Sequence, residues 1–361
     1  MKILYVIPSL DRNGPVNMCF ELISAITEEY KNIKISVLAL GDGERLHDFK
    51  AITDLTICER RDIESIKMVL NGDYDIVHSH CFVSDFYSFI FCKNTHRFTT
   101  LHNCFDDDFI DRKGFLIGKF QSFIAKNIIR EFYKIGCSKT VFEYYKKNVN
   151  NFRLSFVRNG SGSKVDSFNL TNKMQETLNL FYVGSFIPRK NVKFILENFS
   201  IWAIEKNVNL HLFGTGDLFD ELNLKYTRNN IKFYGHVSDI RNHIKKFDCI
   251  ISASKSEGLP MAILEAMSLS KTYICSDIPS HKEIYESNFG MTGLLFKEND
   301  SKDFLECLDK IYMYYNEWNS YRVLCKNSLD SFNNNYTSNS MMENYMKFYN
   351  SVIDNGMMET K

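Results

Sequence analysis

Two acidic residues, Glu257 and Glu265, lie eight positions apart in the stretch FDCIISASKSEGLPMAILEAMSLSKTYICSD. The apolar runs at 250–253 and 273–275 have the length and β-branched content of buried parallel strands. Pro260 suits the first position of a helix of roughly eleven residues, since the N–H that proline lacks would have no partner there. The pattern predicts strand, loop, helix, strand, with one carboxylate in the loop and the other ~7.5 Å along the helix.

A ligand that spans both acids would lie across the helix N-terminus, where free N–H groups and the helix dipole favour a phosphate. Gly258, Leu259 and Pro260, which lead into this helix, are therefore candidate donor-binding residues. Carboxylates beside a phosphate suit hydroxyl groups, and a sugar nucleotide offers both. The alternative is a surface loop whose two glutamates have no ligand.

A second candidate lies where the apolar run 178–183 ends at Gly184. Arg189 and Lys190 follow in the loop before the next helical pattern, and two cations at a strand-to-helix corner can neutralise a diphosphate. The alternative is an ordinary surface pair.

The first half of the chain alternates strand-like and helical patterns, which predicts an α/β fold with parallel strands. The strand-like segments are 2–7, 34–40, 75–79, 97–101 and 134–137. His80 and His102 follow two of them, at the edge where ligands bind in open parallel sheets. Gly14 precedes the first helical pattern, where a missing Cβ would let backbone N–H groups approach a phosphate; a plain turn glycine is the alternative.

Positive charge is concentrated in residues 112–158, which hold eleven Lys or Arg against two Glu, a balance of 11 − 2 = +9. Apolar residues of this segment, including Phe115, Leu116, Phe120 and Phe123, recur at helical spacing. One interpretation is a solvated basic face over a buried apolar stripe. The other is a basic amphipathic surface, with Lys113, Lys119 and Lys126, that meets an anionic membrane or a lipid diphosphate.

Two acidic triplets, 73–75 and 106–108, have the D-x-D form that can bind a metal ion. Such triplets are common by chance, so we interpret both as acidic loops and predict no metal site.

The segment E-G-L-P-M-A-I-L-E, followed by A-M, resembles the E-x7-E signature of the retaining, nucleotide-sugar-dependent glycosyltransferases of family 4. The resemblance implies the GT-B fold, in which two Rossmann-like domains with parallel sheets face each other across a cleft. It implies that Glu257 contacts the donor sugar and that Glu265 holds the ribose.

The resemblance extends along most of the chain. It implies that Lys190 is the main cation that binds the phosphates and that Arg189 is a second one. It also implies that His102, at the end of a strand with the pattern T-x-H, lies beside the donor sugar. It implies that His236 and Val237 frame the nucleobase. Three positions depart from the family: one glycine at Gly14 instead of two, Ser185 after Gly184, and Pro279-Ser280 in place of two glycines.

The resemblance places an acceptor-side domain at 1–170, joined by a C-terminal helix at 338–354 that crosses back to it. The nucleotide-sugar-binding domain is expected at 171–335.

Composition narrows the class of protein. The 361 residues suffice for two domains, and the formal net charge of zero gives no indication of a nucleic-acid partner. The ten cysteines have irregular spacing without C-x-x-C, which favours reduced core residues in a reducing compartment. The apolar N-terminus lacks a small-residue cleavage site, so we predict a first strand and a cytoplasmic protein, peripheral to the plasma membrane if the basic surface binds it.

The expected function is a retaining, metal-independent hexosyl- or N-acetylhexosaminyl-transferase that uses no cofactor. Its partners would be a nucleotide diphosphate sugar and a hydroxyl of a saccharide or lipid-linked saccharide, in bacterial surface polysaccharide synthesis. The alternatives are a nucleotide-sugar epimerase of the same fold and a non-catalytic sugar-nucleotide-binding subunit.

Overall fold

The protein is represented by a computed structural model that describes residues 1–92, 95–149, 152–165, 168, 176–287 and 291–359, with side chains to residue 354. The chain divides into two compact units. Unit 1 contains Met1–Ser161 and Thr337–Lys361, and unit 2 contains Gly162–Tyr336. The boundary predicted at 170/171 lies outside the described residues.

Unit 1 is built on a seven-stranded parallel sheet in the order β3-β2-β1-β4-β5-β6-β7 within the described chain. Its strands are β1 (Lys2–Ile7), β2 (Lys34–Ala39), β3 (Asp54–Ile57), β4 (Ile76–His80), β5 (His96–Leu101), β6 (Tyr133–Gly136) and β7 (Leu154–Phe156). Strand β1 is buried on both faces from Ile3 to Ile7, which explains why this part of it is continuously apolar rather than alternating. Strand β4 is equally buried but ends in the polar residues His78, Ser79 and His80.

Helices connect these strands. They are α1 (Gly14–Glu29), α2 (Leu46–Ile52), α3 (Ile63–Leu70), α4 (Cys81–Phe91), α5 (Phe105–Lys113), α6 (Phe115–Ile128) and α7 (Lys139–Asn148). Asn13 starts α1, because its side chain accepts a hydrogen bond from the Val16 N–H at 3.1 Å.

The last helix returns to unit 1, as predicted. Helix α15 (Ser338–Glu359) places Met341, Tyr345 and Tyr349 in the core that also contains β1 and α1. The Tyr349 hydroxyl lies 3.1 Å from the Tyr5 hydroxyl.

Unit 2 has a six-stranded parallel sheet in the order β10-β9-β8-β11-β12-β13 among the described residues. The strands are β8 (Leu178–Val183), β9 (Val208–Phe213), β10 (Ile231–Gly235), β11 (Cys249–Ser252), β12 (Thr272–Ser276) and β13 (Leu294–Phe296). The helices are α8 (Val192–Trp202), α9 (Phe219–Tyr226), α10 (Ile240–Ile244), α11 (Met261–Ser268), α12 (Pro279–Glu286), α13 (Ser301–Asn316) and α14 (Trp318–Asn335).

The predicted α/β class with two Rossmann-like parallel sheets is confirmed. The expectation for Pro260 was wrong in detail. Pro260 is the residue before the helix, with ψ of 91°, and α11 has eight residues rather than eleven. Its final turn ends at Ser268 because the chain must enter β12 four residues later.

Candidate active site

A three-residue charge cluster forms in unit 2 where β8 and β11 end. These strands are neighbours, so the loops that follow them start at the same sheet edge. The β8 loop ends in a short 3-10 helix, Pro188–Lys190, that carries both predicted cations. The β11 loop carries Glu257. The fold therefore brings Glu257 next to two cations, Lys190 and Arg189, that lie 67 and 68 residues before it in the chain.

Glu257 is the centre of this cluster. Its carboxylate accepts a hydrogen bond from Lys190 Nζ and lies 3.4 Å from Arg189 Nη1. Ser254 Oγ donates to the same carboxylate at 2.7 Å. The Glu257 side chain is only 9% exposed, against 21% for Lys190 and 15% for Arg189. The acid is therefore enclosed by its partners, while the cations retain a route to solvent.

The protonation of Glu257 follows from this enclosure. Burial alone would raise its pKa, but the charges of Lys190 and Arg189 lower the pKa to about 2. Glu257 is thus ionised at neutral pH and the cluster has a net charge of 1 + 1 − 1 = +1. A carboxylate of such low basicity is a poor proton acceptor and a poor nucleophile.

The loop that carries Glu257 is anchored to the sheet by small polar residues. Ser276 Oγ donates to the Ser254 carbonyl oxygen at 2.6 Å, and Arg189 Nη1 donates to the Ser256 carbonyl oxygen at 2.5 Å. Both contacts fix the backbone of the residues just before the glutamate. They give the cluster a preorganised geometry.

The other donor-side candidates lie on the same sheet edge or on α11. Gly258, Leu259 and Pro260 are buried and lead directly into the helix, and Glu265 is half-buried on its fifth residue. The pair His236 and Val237 follows β10, with His236 exposed and Val237 half-buried.

Gly184 follows β8 in tight contact with the next loop. Its N–H donates to the Phe213 carbonyl oxygen at 3.0 Å. Gly214, after β9, has φ of +121°, and a Cβ there would lie 2.0 Å from the Gly184 carbonyl oxygen. A glycine is therefore needed at position 214 for these loops to approach each other.

The sequence did not single out two residues near Glu257. His281 on α12 is fully buried, and its charge would lower the pKa of Glu257. Its Nδ1 lies 2.8 Å from the Ser276 carbonyl oxygen, whereas Nε2 is buried without a hydrogen-bond partner in the described structure. Ser254 precedes Glu257 by three residues, and that spacing in the loop is the signal that would have identified it.

The unit 1 candidates lie at the carboxyl edge of the other sheet. Gly14 is the first residue of α1, and a Cβ on it would meet no atom within 4 Å. His102 follows β5 and pairs with His80 at the end of the adjacent β4, with His80 Nδ1 and His102 Nε2 3.0 Å apart. The His80 ring also stacks on His78 at 4.7 Å.

These histidines are neutral at physiological pH. Burial lowers the pKa of His102 to about 3. Burial, together with repulsion from the charges that His78 and His102 would carry, holds the pKa of His80 well below its ordinary value. Nε2 of His80 is buried and has no partner in the described part of the chain. An unpaired lone pair costs less than an unpaired N–H, so we expect His80 to donate from Nδ1 to His102 Nε2.

The acidic triplets are engaged within unit 1. Asp106 accepts hydrogen bonds from Ser122 Oγ at 2.7 Å and from Lys126 Nζ at 3.0 Å, and Asp73 pairs with Lys2 at 2.5 Å. Within the described residues, no group of three His, Cys, Asp or Glu side chains could hold a metal ion.

The basic segment differs from the first interpretation, because its apolar stripe is not buried. Phe115, Leu116, Phe120 and Phe123 are exposed on α6. Several cations are instead used internally. Lys126 pairs with Asp106, and the fully buried Lys134 donates from Nζ to the Arg130 and Phe132 carbonyl oxygens.

Lys113 and Lys119 remain at the surface, Lys119 at 3.4 Å from Asp106. No described helix is long and apolar enough to traverse a lipid bilayer.

Residues 166–322 match the family model described as "Glycosyl transferases group 1". This part of the chain is therefore similar to that glycosyltransferase family, in agreement with the resemblance found in the sequence. The O-antigen biosynthesis glycosyltransferase WbnH of Escherichia coli is 28% identical over 183 residues, which are 50% of this chain and 48% of WbnH. The capsular polysaccharide biosynthesis glycosyltransferase CapH of Staphylococcus aureus is 28% identical over 132 residues, 34% of this chain and 37% of CapH.

This chain spans about half the length of the curated relatives it matches. Solved structures are similar over nearly all of it. Anabaena Alr3699/HepE, in complex with UDP-glucose, superposes with a TM-score of 0.79 at 15% identity, over 97% of this chain and 100% of that one. Sucrose-phosphate synthase from Thermosynechococcus elongatus gives a TM-score of 0.77 at 14% identity, over 98% and 100%. At these identities the likeness establishes the fold, and it confirms the predicted GT-B class.

Proposed function

We propose that this protein transfers a hexosyl or N-acetylhexosaminyl unit from a nucleoside diphosphate sugar to a hydroxyl of a saccharide or lipid-linked saccharide, with retention of the anomeric configuration. The observation that carries the proposal is the Glu257, Lys190 and Arg189 cluster at one sheet edge of unit 2. The names of the relatives, which act in O-antigen and capsular polysaccharide synthesis, support a role in building a bacterial surface polysaccharide.

The cluster has the charges that such a reaction needs. As the bond between the sugar and the diphosphate breaks, negative charge grows on the departing phosphate oxygen. Lys190 and Arg189 hold their positive charge beside that oxygen before the reaction begins, so little reorganisation is needed in the transition state. The α11 N-terminus adds its positive dipole end on the same side.

Glu257 plays a second part in this scheme. It offsets one of the two positive charges, and on donor binding the diphosphate pairs with the cations and leaves the carboxylate to accept hydrogen bonds from sugar hydroxyls. Its pKa of about 2 argues against attack on the sugar carbon. We therefore propose no covalent glycosyl-enzyme. Glu265 is assigned to the ribose, His236 and Val237 to the base, and His102 to the sugar, on the family resemblance.

Metal and cofactor requirements belong to the same proposal. Two cations beside the leaving group supply the charge stabilisation that a divalent ion supplies elsewhere, so we propose that the protein uses neither a metal ion nor a cofactor. The ten cysteines all lie among the described residues and form no disulfide there, which supports a location in the reducing cytoplasm.

The first test is a thermal-shift screen against UDP, GDP and ADP and against their sugars. A ligand at about 100 times its dissociation constant stabilises by about 2.7 kcal/mol, which is easily resolved. The donor identified in this way is then incubated with and without saccharide acceptors, and the anomeric proton of the product is read by NMR. Transfer with retained configuration is expected.

Other outcomes would replace the proposal. Consumption of the nucleotide sugar to an isomeric nucleotide sugar without acceptor would assign an epimerase. Tight donor binding with no turnover under any acceptor would assign a non-catalytic subunit. Lys190→Ala removes one cation and leaves Glu265 in place, so it tests whether the donor is held and activated through the cluster.

A further inference from the structure

Helix α6 turns its large apolar side chains away from the fold. Five of them are between 58% and 82% exposed: Phe115, Leu116, Ile117, Phe120 and Phe123. The side chains that α6 buries are mostly small, among them Gly118, Ser122 and Ala125. A surface helix of a water-soluble protein ordinarily does the opposite.

This orientation is fixed by contacts with α5. A Cβ at Gly118 would lie 2.6 Å from Ile110 Cα, so the two helices cross at a point that admits only glycine. Ser122 and Lys126 both bond the Asp106 carboxylate of α5. Rotating α6 to bury its aromatic residues would break both bonds and place a large side chain at the crossing.

The exposed apolar surface is large. Five side chains of this size, about two-thirds exposed, leave ~600 Å² of apolar surface in contact with water. This area is at the upper end of the range for the largest apolar patch on a monomeric protein. The neighbouring helix α4 adds Phe86, Phe89 and Ile90, all of which are exposed. A surface of this size indicates an interaction site.

Its chemistry matches a membrane interface. Helix α6 contains no acidic residue, and Arg112 and Lys113 are exposed just before it. The exposed large apolar residues of α6 are Phe, Leu and Ile, without the hydrogen-bonding Tyr and Trp that are enriched in protein interfaces. At 14 residues, or ~21 Å, the helix is too short to span a bilayer and suits a position along its surface.

We propose that α6 inserts its apolar face into the interfacial layer of a membrane that contains anionic lipid. Burial of the apolar side chains in the lipid provides most of the binding free energy, and Arg112 and Lys113 orient the helix on the anionic surface. Lys126 makes no such contribution, because it is 17% exposed and paired with Asp106. The inference goes beyond the transfer reaction and does not depend on it.

Vesicle co-sedimentation tests the proposal with the full chain. The vesicles are phosphatidylcholine with about 30% phosphatidylglycerol, at about 0.15 M and about 1 M NaCl. Binding is expected to persist at the higher salt. The variant Leu116→Gln/Phe120→Gln/Phe123→Gln should bind at least about tenfold more weakly at both salts. Leu224→Gln, at a 91% exposed leucine of unit 2, is the matched control and should bind like the parent.

A second measurement reports insertion directly. Leu116→Trp and Leu224→Trp each add one tryptophan at an exposed leucine, and vesicles with brominated acyl chains quench only indoles that enter the bilayer. Quenching of the added fluorescence is expected for Leu116→Trp alone.

Several outcomes would overturn the proposal. They are equal sedimentation of the triple variant and the parent, binding that disappears at high salt, and absence of quenching at position 116. A fourth is a dimer in solution that the triple substitution dissociates, because the α6 face would then be covered by a second copy of the chain.

Discussion

Replacing Glu257 with glutamine should destabilise unit 2, and the structure sets the size of the effect. The pKa of Glu257 falls from 4.5 to about 2 on folding, because the charges of Lys190 and Arg189 outweigh the cost of burial. A pKa difference of one between the folded and unfolded states corresponds to about 1.36 kcal/mol, so the ionised carboxylate contributes about 3 kcal/mol at neutral pH. Glutamine keeps the shape and the Ser254 contact but loses that charge.

The pH dependence has a definite sign. The folded-state pKa is depressed, so this contribution is fully present above pH 4.5 and is lost as the pH falls towards 2. The difference in unfolding free energy between the parent and Glu257→Gln should therefore be greatest at neutral pH and shrink below pH 4.5.

Urea unfolding followed by tryptophan fluorescence is the appropriate assay. Both tryptophans, Trp202 and Trp318, belong to unit 2, so the signal reports the unit that contains the cluster. Glu197→Gln is the control, because Glu197 forms an exposed helical pair with Lys193 and its loss should cost less than about 0.5 kcal/mol.

A double-mutant cycle with Lys190→Met isolates the pair energy. The reasoning is refuted if Glu257→Gln unfolds within about 0.5 kcal/mol of the parent at neutral pH, if the difference is the same at low pH, or if the two substitutions are additive.

Other substitutions separate the roles assigned to the site. Lys190→Ala should lower kcat by roughly 10²- to 10³-fold in steady-state assays, because leaving-group charge develops only as the bond breaks; an unchanged kcat would contradict this. Glu265→Ala should mainly raise KM for the donor, since a ribose contact exists in ground and transition states alike, and a fall in kcat alone would reject the ribose role. Transfer should survive EDTA, and rescue of a chelated enzyme by Mn²⁺ or Mg²⁺ would assign a metal. His80→Phe should lower kcat and alter the imidazole ¹⁵N shifts of His102, with His80→Asn restoring both; unchanged shifts would remove His80 as a positioning residue.

The sequence predicted best what depends on local pattern. Continuous apolar runs identified the buried strands, and β1 and β8 have the predicted bounds. The charge cluster was predictable in composition, because loops after neighbouring parallel strands start at one edge. Its ion pairing was not predictable, since the spacing of residues along the chain does not show that the Glu257 side chain turns towards Lys190 and Arg189.

The α6 face could not be predicted for a related reason. Apolar residues at helical spacing show that a helix has an apolar face, but the direction of that face depends on tertiary contacts. Here Gly118, Ser122 and Asp106 determine it. The sequence signal that was available is the run of small residues on the opposite side of the helix.

The return of α15 to unit 1 has a consequence for how the chain matures during translation. Tyr349 bonds Tyr5 and lies beside His78 in the unit 1 core, yet it is synthesised after all of unit 2. When residue 161 has left the ribosome, every strand of the seven-stranded sheet has been synthesised. The tyrosines and methionines that α15 packs against this sheet have not yet been synthesised. Unit 2 is contiguous in sequence and can complete its folding first. Until α15 has been synthesised, unit 1 exposes part of its apolar core, to which chaperones can bind. The order of completion is thus the reverse of the order of synthesis.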